Sequence, residues 1–113
     1  MEKEKIILLN ALVTSSKIPL ILKTKPLNNL DEVKKLVKDR EIVSFIGHEA
    51  TAQLLTTLLN KPVPTNRSMY DPRPNEVAVV VRLKKRLEKP EDVKNVKPED
   101  IEFILIEYSE YQL

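Results

Sequence analysis

Val43-Ser44-Phe45-Ile46-Gly47-His48-Glu49-Ala50-Thr51-Ala52-Gln53-Leu54-Leu55 holds the only glycine and the only histidine of the chain, side by side. An apolar run with strand character ends at Gly47. From His48 onward the spacing is helical: Thr51, Leu54, Leu55, Leu58 and Leu59 fall on one face. The stretch therefore reads as a strand, a tight break and a helix running from about His48 to Leu59. Histidine exchanges protons most readily near neutral pH. Here it stands at the positive end of a helix dipole, where backbone N–H groups can hold a phosphate. A proton donor beside an anion cradle suits phosphate-ester chemistry.

Outward from this junction the chain alternates between strand and helix signals. Lys5 to Asn10 is a buried first strand, with Ile6 to Leu9 consecutively apolar, and Ala11 to Ile18 is a small-polar loop. Pro19 to Leu27 alternates as an edge-like strand. Asn29 can cap a helix that has Glu32 at its third position and runs to about Arg40, with Leu30, Val33, Leu36 and Val37 on one face. Glu41 to Ile46 is a short strand. Beyond the second helix, Val63 to Met69 is read as a strand carrying Arg67, and Asp71 to Asn75 as a turn. Glu76 to Leu83, with five successive small apolar residues from Val77 to Val81, suits a central strand buried on both faces. Pro90 and Pro98 flank one or two helical turns, and Ile101 to Tyr108 closes as a strand. The fold expected is α/β: a mixed sheet of about five to six strands packed by helices, forming one compact domain over residues 1–113.

Composition narrows the function classes. With 113 residues and a formal net charge of +2, the chain is less basic than proteins that coat duplex DNA, so no duplex DNA partner is expected. A small anionic ligand held by a few placed arginines fits better. The absence of cysteine excludes a disulfide scaffold, a thiolate metal site and a thiol nucleophile, and one histidine excludes a His-rich metal site within one chain. No metal and no cofactor is expected. The longest apolar runs, Ile6 to Leu9 and Val77 to Val81, are far short of a membrane span. Met1-Glu2-Lys3-Glu4-Lys5 lacks a secretory pattern, so a cytoplasmic location is expected, that of the host cell if the gene is viral. No serine-hydrolase elbow and no Walker A loop can be written with a single glycine.

Two arginines stand in strand-like contexts, Arg67 after Asn66 and Arg86 in Arg82-Leu83-Lys84-Lys85-Arg86. Arg67 is either a phosphate contact or part of a surface salt bridge, and Arg82 to Arg86 either serves a phosphate or is a solvated basic strand end. Glu88 and Glu91 either pair with Arg86, orient an attacking hydroxyl or are plain surface charge. Tyr70, Tyr108 and Tyr111 are either base-stacking residues or core or interface residues.

Several of these residues resemble one family. Ser44 to Leu55 is similar to the Ile-Gly-His-Asp/Glu-Ser/Ala-Thr core of the viral anti-CRISPR ring nucleases and their cellular relatives. Asn66-Arg67, with Arg67 nineteen residues beyond His48, resembles the family's Asn-Arg, Arg86-Leu87-Glu88 its Arg-Leu-Glu, and Ile6 to Ala11 its first strand ending in Asn-Ala. The resemblance implies a homodimer that binds cyclic tetra-adenylate, the messenger of type III CRISPR defence, and cleaves it without metal. By the resemblance His48 is the general acid, Arg67 and Arg86 serve the phosphate, and Asn10 binds substrate together with Gly47 and Thr51. Arg86 and Glu88 complete the expected catalytic set. The chain departs from the family pattern at two places. Val13 stands where many members have serine, followed here by Thr14, Ser15 and Ser16. Lys89-Pro90 stands where many members have glutamate and glycine, with Glu88 one position earlier. These departures keep open a non-catalytic protein that binds a cyclic oligonucleotide, or another nucleic acid, as a sponge or sensor.

Overall fold

In the computed structural model the described residues are 4–13, 16–27, 29–84 and 96–111. They form β1 (Lys5–Leu9), β2 (Leu20–Leu27), α1 (Leu30–Lys38), β3 (Glu41–Phe45), α2 (Glu49–Leu59), β4 (Val77–Leu83), a 3-10 turn at Pro98–Asp100 and β5 (Ile101–Glu110). The strands make one mixed sheet in the order β2-β5-β4-β1-β3. β1 runs parallel to both β3 and β4, while β5 is antiparallel to β4 and β2. This is the α/β architecture that the sequence predicts, with five strands.

Burial follows the pleat. On one face, Ile6, Leu8, Val79 and Val81 meet Val33 and Val37 of α1 and Ala50, Leu54, Leu55 and Leu59 of α2. On the other, Ile7, Leu9, Ala78, Val80, Ile106 and Tyr108 form a second cluster with no helix over it. Both faces of β1 and β4 are therefore sealed, which is why their sequences are continuous apolar runs rather than alternating ones. The helix-free face is covered by chain that crosses it twice. The loop after β1 is fixed where the Tyr108 hydroxyl donates to the Val13 carbonyl at 2.9 Å. The segment before β4 lays Tyr70 between Phe45 and Tyr108, at ring-centre distances of 5.1 and 6.0 Å. β2 is an edge strand, and this is where Pro26, which has no N–H to donate, is tolerated.

The helix ends follow local chemistry. Asn29 Oδ1 accepts from the Glu32 N–H at 3.0 Å, the cap predicted from spacing. At the other end of α1, Lys61 Nζ donates to the carbonyls of Val37, Lys38 (3.0 Å) and Arg40 (3.2 Å). A cation there satisfies orphan carbonyls and complements the dipole. Lys61→Met, which keeps the stem and removes the charge, is expected to lower unfolding free energy by about 1–3 kcal/mol in urea titration.

One expected element is absent. Residues 63–69 form no strand. Pro62 and Pro64 bring no N–H groups, and two side-chain bonds with a single backbone bond stand in for a ladder. Asn66 Nδ2 donates to the Ser44 carbonyl (2.9 Å), the Asn66 N–H to the Ile46 carbonyl (2.8 Å), and Ser44 Oγ to the Pro64 carbonyl (2.6 Å). The segment is thus pinned beside the end of β3 as irregular chain. The expected helical turns between Pro90 and Pro98 lie mostly outside the described residues, which resume with Val96 and the 3-10 turn.

Candidate functional site

β1, β3 and β4 are mutually parallel, so their carboxyl ends share one edge of the sheet. In open α/β sheets ligands bind at such an edge. Three chain segments converge there: Asn10 after β1, Ile46-Gly47-His48 between β3 and α2, and Asn66-Arg67 fastened to β3.

His48 is the N-cap of α2, in extended conformation, and its ring does the capping. Nδ1 accepts from the Thr51 N–H at 3.4 Å and lies 3.0 Å from Thr51 Oγ1. Thr51 is 5% exposed, whereas His48 is exposed. With Nδ1 occupied by the helix, Nε2 is the nitrogen left for a ligand, and no described residue bonds it. Histidine is not among the favoured caps, which are Ser, Thr, Asp and Asn. The long capping bond is correspondingly weak by geometry.

Arg67 bends back over Gly47 and donates Nε–H to its carbonyl at 3.2 Å. The anchoring uses one of five guanidinium N–H groups. The rest of the exposed fork has no partner among the described residues. Asn66 has a structural task instead: besides its bonds to β3, Oδ1 accepts from the Ser68 N–H at 2.9 Å, so it aims Arg67.

Gly47 is not needed by the backbone. Its φ lies outside the left-handed region. A Cβ built there would meet Arg67 Cγ at 3.6 Å, Arg67 Cα at 3.8 Å and the Asn66 carbonyl oxygen at 3.9 Å, all ordinary contacts. The only glycine of the chain therefore sits where folding would accept alanine. Gly47→Ala is expected to leave the urea midpoint unchanged or to raise stability by about 0.4–1 kcal/mol through the unfolded state.

Beside this junction, on the helix-free face, lies an open cleft of about 680 Å³. Asn10, Ser16, Lys17, Ser68 and Asp71 supply its polar groups, and Phe45 and Tyr70 part of its wall. Ser16 Oγ is committed to the Ile18 carbonyl. Tyr70 OH donates to Glu76 Oε1 at 2.8 Å. Burial, reinforced by Glu76, raises the Tyr70 phenol far above its ordinary value, and burial pushes Tyr108 up to about 12. Both phenols therefore act as neutral hydrogen-bond donors rather than as bases.

The structure thus brings Asn10, Gly47, His48, Thr51 and Arg67 to one edge. Arg86, Glu88, Glu91, Thr14 and Ser15 lie outside the described residues. β4 ends and β5 begins at this same edge, where the Lys84 N–H donates to the Asp100 carbonyl at 2.7 Å. Sequence reasoning missed Ser44 as the anchor of the 63–68 segment. Its partner is twenty residues away, and no local signal marks it. Among the described residues no group of three or more acidic, His or Cys side chains could hold a metal, and no helix is long and apolar enough to cross a membrane.

The chain is similar to proteins of archaeal viruses. Over 67 residues the chain is 33% identical to uncharacterized protein 26 of Sulfolobus islandicus filamentous virus (isolate Iceland/Hveragerdi), covering 59% of this chain and 57% of that protein. Over 59 residues it is 39% identical to uncharacterized protein ORF117 of Acidianus two-tailed virus, covering half of each. The matches thus span about half the length of these curated relatives. In three dimensions it is similar to B116 of Sulfolobus turreted icosahedral virus, with a TM-score of 0.69 over 91% of this chain and 98% of that one. Identity there is 20%, so the likeness concerns the fold. Residues 6–110 match the STIV B116-like family, and the chain belongs to that family of archaeal viral proteins.

Proposed function

We propose that this protein is a metal-independent ring nuclease that cleaves cyclic tetra-adenylate and so switches off type III CRISPR signalling. The observation that carries the reading is the junction itself. The sole histidine caps a helix with a weak bond, the sole glycine is one the fold does not require, and an anchored arginine fork overhangs both. Each feature is a poor choice for stability alone and a good one for holding a phosphodiester.

In this reading a ribose 2′-hydroxyl attacks the adjacent phosphorus in line. The 2′-oxygen–phosphorus bond forms, the phosphorus–5′-oxygen bond breaks, and a 2′,3′-cyclic phosphate and a 5′-hydroxyl result. The 2′-hydroxyl proton passes to solvent or to Glu88. His48 delivers the Nε2 proton to the leaving oxygen. Arg67, Arg86 and the N–H groups at the start of α2 neutralise the phosphorane, and Asn10 positions the ring from the neighbouring strand end. Linear di-adenylate is the product.

A homodimer belongs to the same proposal. A cyclic tetranucleotide presents repeated phosphates, and a two-fold pair supplies two equivalent junctions. Exposed Leu12 and Met69, which line the cleft on the helix-free face, offer apolar surface for such a pair. The shifted acidic position at Glu88 favours one rival, a protein that holds the ring intact.

Incubating the protein with labelled ring in EDTA decides between them. New linear product supports the nuclease, retained intact ring supports the binder, and no association removes both. Light scattering on the same sample should report a dimer. Gly47→Ala should bind the ring more weakly although its fold is as stable, because the methyl group lies against Arg67 Cγ, at the root of the fork that would hold the phosphate.

A further inference from the structure

We propose that Thr51 is a positioning residue for His48: its buried hydroxyl holds Nδ1 in both protonation states of the ring, so that Nε2 always faces the ligand. The catalytic part of this inference rests on the ring-nuclease reading; the geometric part does not. Thr51 is 5% exposed, and its Oγ1 lies 3.0 Å from His48 Nδ1. A hydroxyl can donate or accept by rotating its hydrogen. When Nδ1 is bare, it accepts from the Thr51 O–H and the Thr51 N–H. When Nδ1 carries a proton, the backbone N–H can no longer point at it, but Oγ1 can turn and accept that proton. The hydroxyl can therefore serve the charged ring as well as the neutral one, which the backbone N–H cannot.

The charged ring is the form a general acid needs. On transfer, Nε2 loses its proton to the leaving oxygen, and the ring becomes neutral while keeping Nδ1–H on Thr51. Water then restores the Nε2 proton. Throughout the cycle Thr51 holds the ring by the nitrogen that does not react, much as a carboxylate orients histidine in other acid–base sites. The charged neighbours are Glu49, in the same helical turn, and Arg67, on the segment bonded to Gly47. In this assignment Thr51 does not touch the substrate.

The chain has one histidine, so its ring signals in a 15N spectrum are unambiguous. At acid pH the Nδ1–H of wild type should give a resolved resonance, because it is hydrogen-bonded to a buried oxygen. Thr51→Ser should keep it, and Thr51→Val, which preserves shape and lacks the hydroxyl, should lose it. With cyclic tetra-adenylate, Thr51→Val should lower kcat on the order of 10- to 100-fold with little change in ring affinity, and Thr51→Ser should restore most of it. An unchanged Nδ1–H signal in Thr51→Val overturns the assignment, as does wild-type kcat in that variant. Loss of affinity at unchanged kcat would make Thr51 a substrate contact instead. If the wild type itself cleaves no ring, the ring-nuclease reading fails, and the Nδ1–H comparison alone decides whether Thr51 holds the ring.

Discussion

His48→Asn is expected to reduce ring cleavage by about 10²- to 10⁴-fold, the usual contribution of a general acid or base, while the protein stays folded and keeps its ligand. Asparagine is the informative replacement. His48 caps α2 through a 3.4 Å bond from the Thr51 N–H. His48→Ala would remove that cap and confuse lost chemistry with a frayed helix, at a cost of about 0.5–2 kcal/mol. Asparagine is among the best caps, so His48→Asn should match or exceed wild type in urea midpoint. Single-turnover cleavage with saturating enzyme, beside a filter-binding isotherm, separates the rate from the affinity. A variant that cleaves at the wild-type rate would leave His48 as a cap and nothing more.

The parts of the fold that depend on neighbours in sequence were legible beforehand. Asn29 and Glu32 are three residues apart, and the cap they announce is present. The continuous apolar runs at Ile6 to Leu9 and Val77 to Val81 announce strands sealed on both faces, and β1 and β4 lie between two clusters. What failed was residues 63–69. Their composition allowed a strand, but the ladder partner that would have made one is replaced by Asn66 and Ser44 side chains, from residues twenty-two positions apart. Such long-range side-chain pairing has no periodicity to betray it.

The candidate site divides the same way. Gly47 and His48 stand out because each is unique in the chain. Sequence alone, however, assigns Gly47 a backbone role that its φ does not require, and leaves the spacing of His48 and Thr51 without a meaning. Only the structure shows that three residues bring a hydroxyl onto Nδ1. Covering of the helix-free face by loops was equally hidden, because it depends on contacts such as Tyr108 with Val13, ninety-five residues apart.

Arg67→Ala is expected to weaken ring binding on the order of 10- to 100-fold and to slow cleavage by more. A hydrogen bond to a charged group contributes about 1.5–3 kcal/mol, and the contribution grows as charge builds on the phosphorane. Arg67 is suited to this because its Nε–H is already spent on the Gly47 carbonyl at 3.2 Å, so the fork is held before the ligand arrives. Arg67→Lys should recover only part of the loss. An ammonium restores the charge, but it cannot reproduce the anchor and present two parallel donors at once. Arg73 is the control: it is mostly exposed, 3.5 Å from Asp71, and precedes β4 at the opposite edge of the sheet. Arg73→Ala should bind within about two-fold of wild type, since exposed pairs contribute little. The two isotherms should also differ with salt. A placed fork keeps much of its advantage at raised ionic strength, whereas a general positive field is screened within about 10 Å at 0.1 M. If Arg73→Ala weakened binding as much as Arg67→Ala, and both differences vanished in salt, the ring would be held by net charge rather than at the Gly47-His48 junction, and the site would have to be given up.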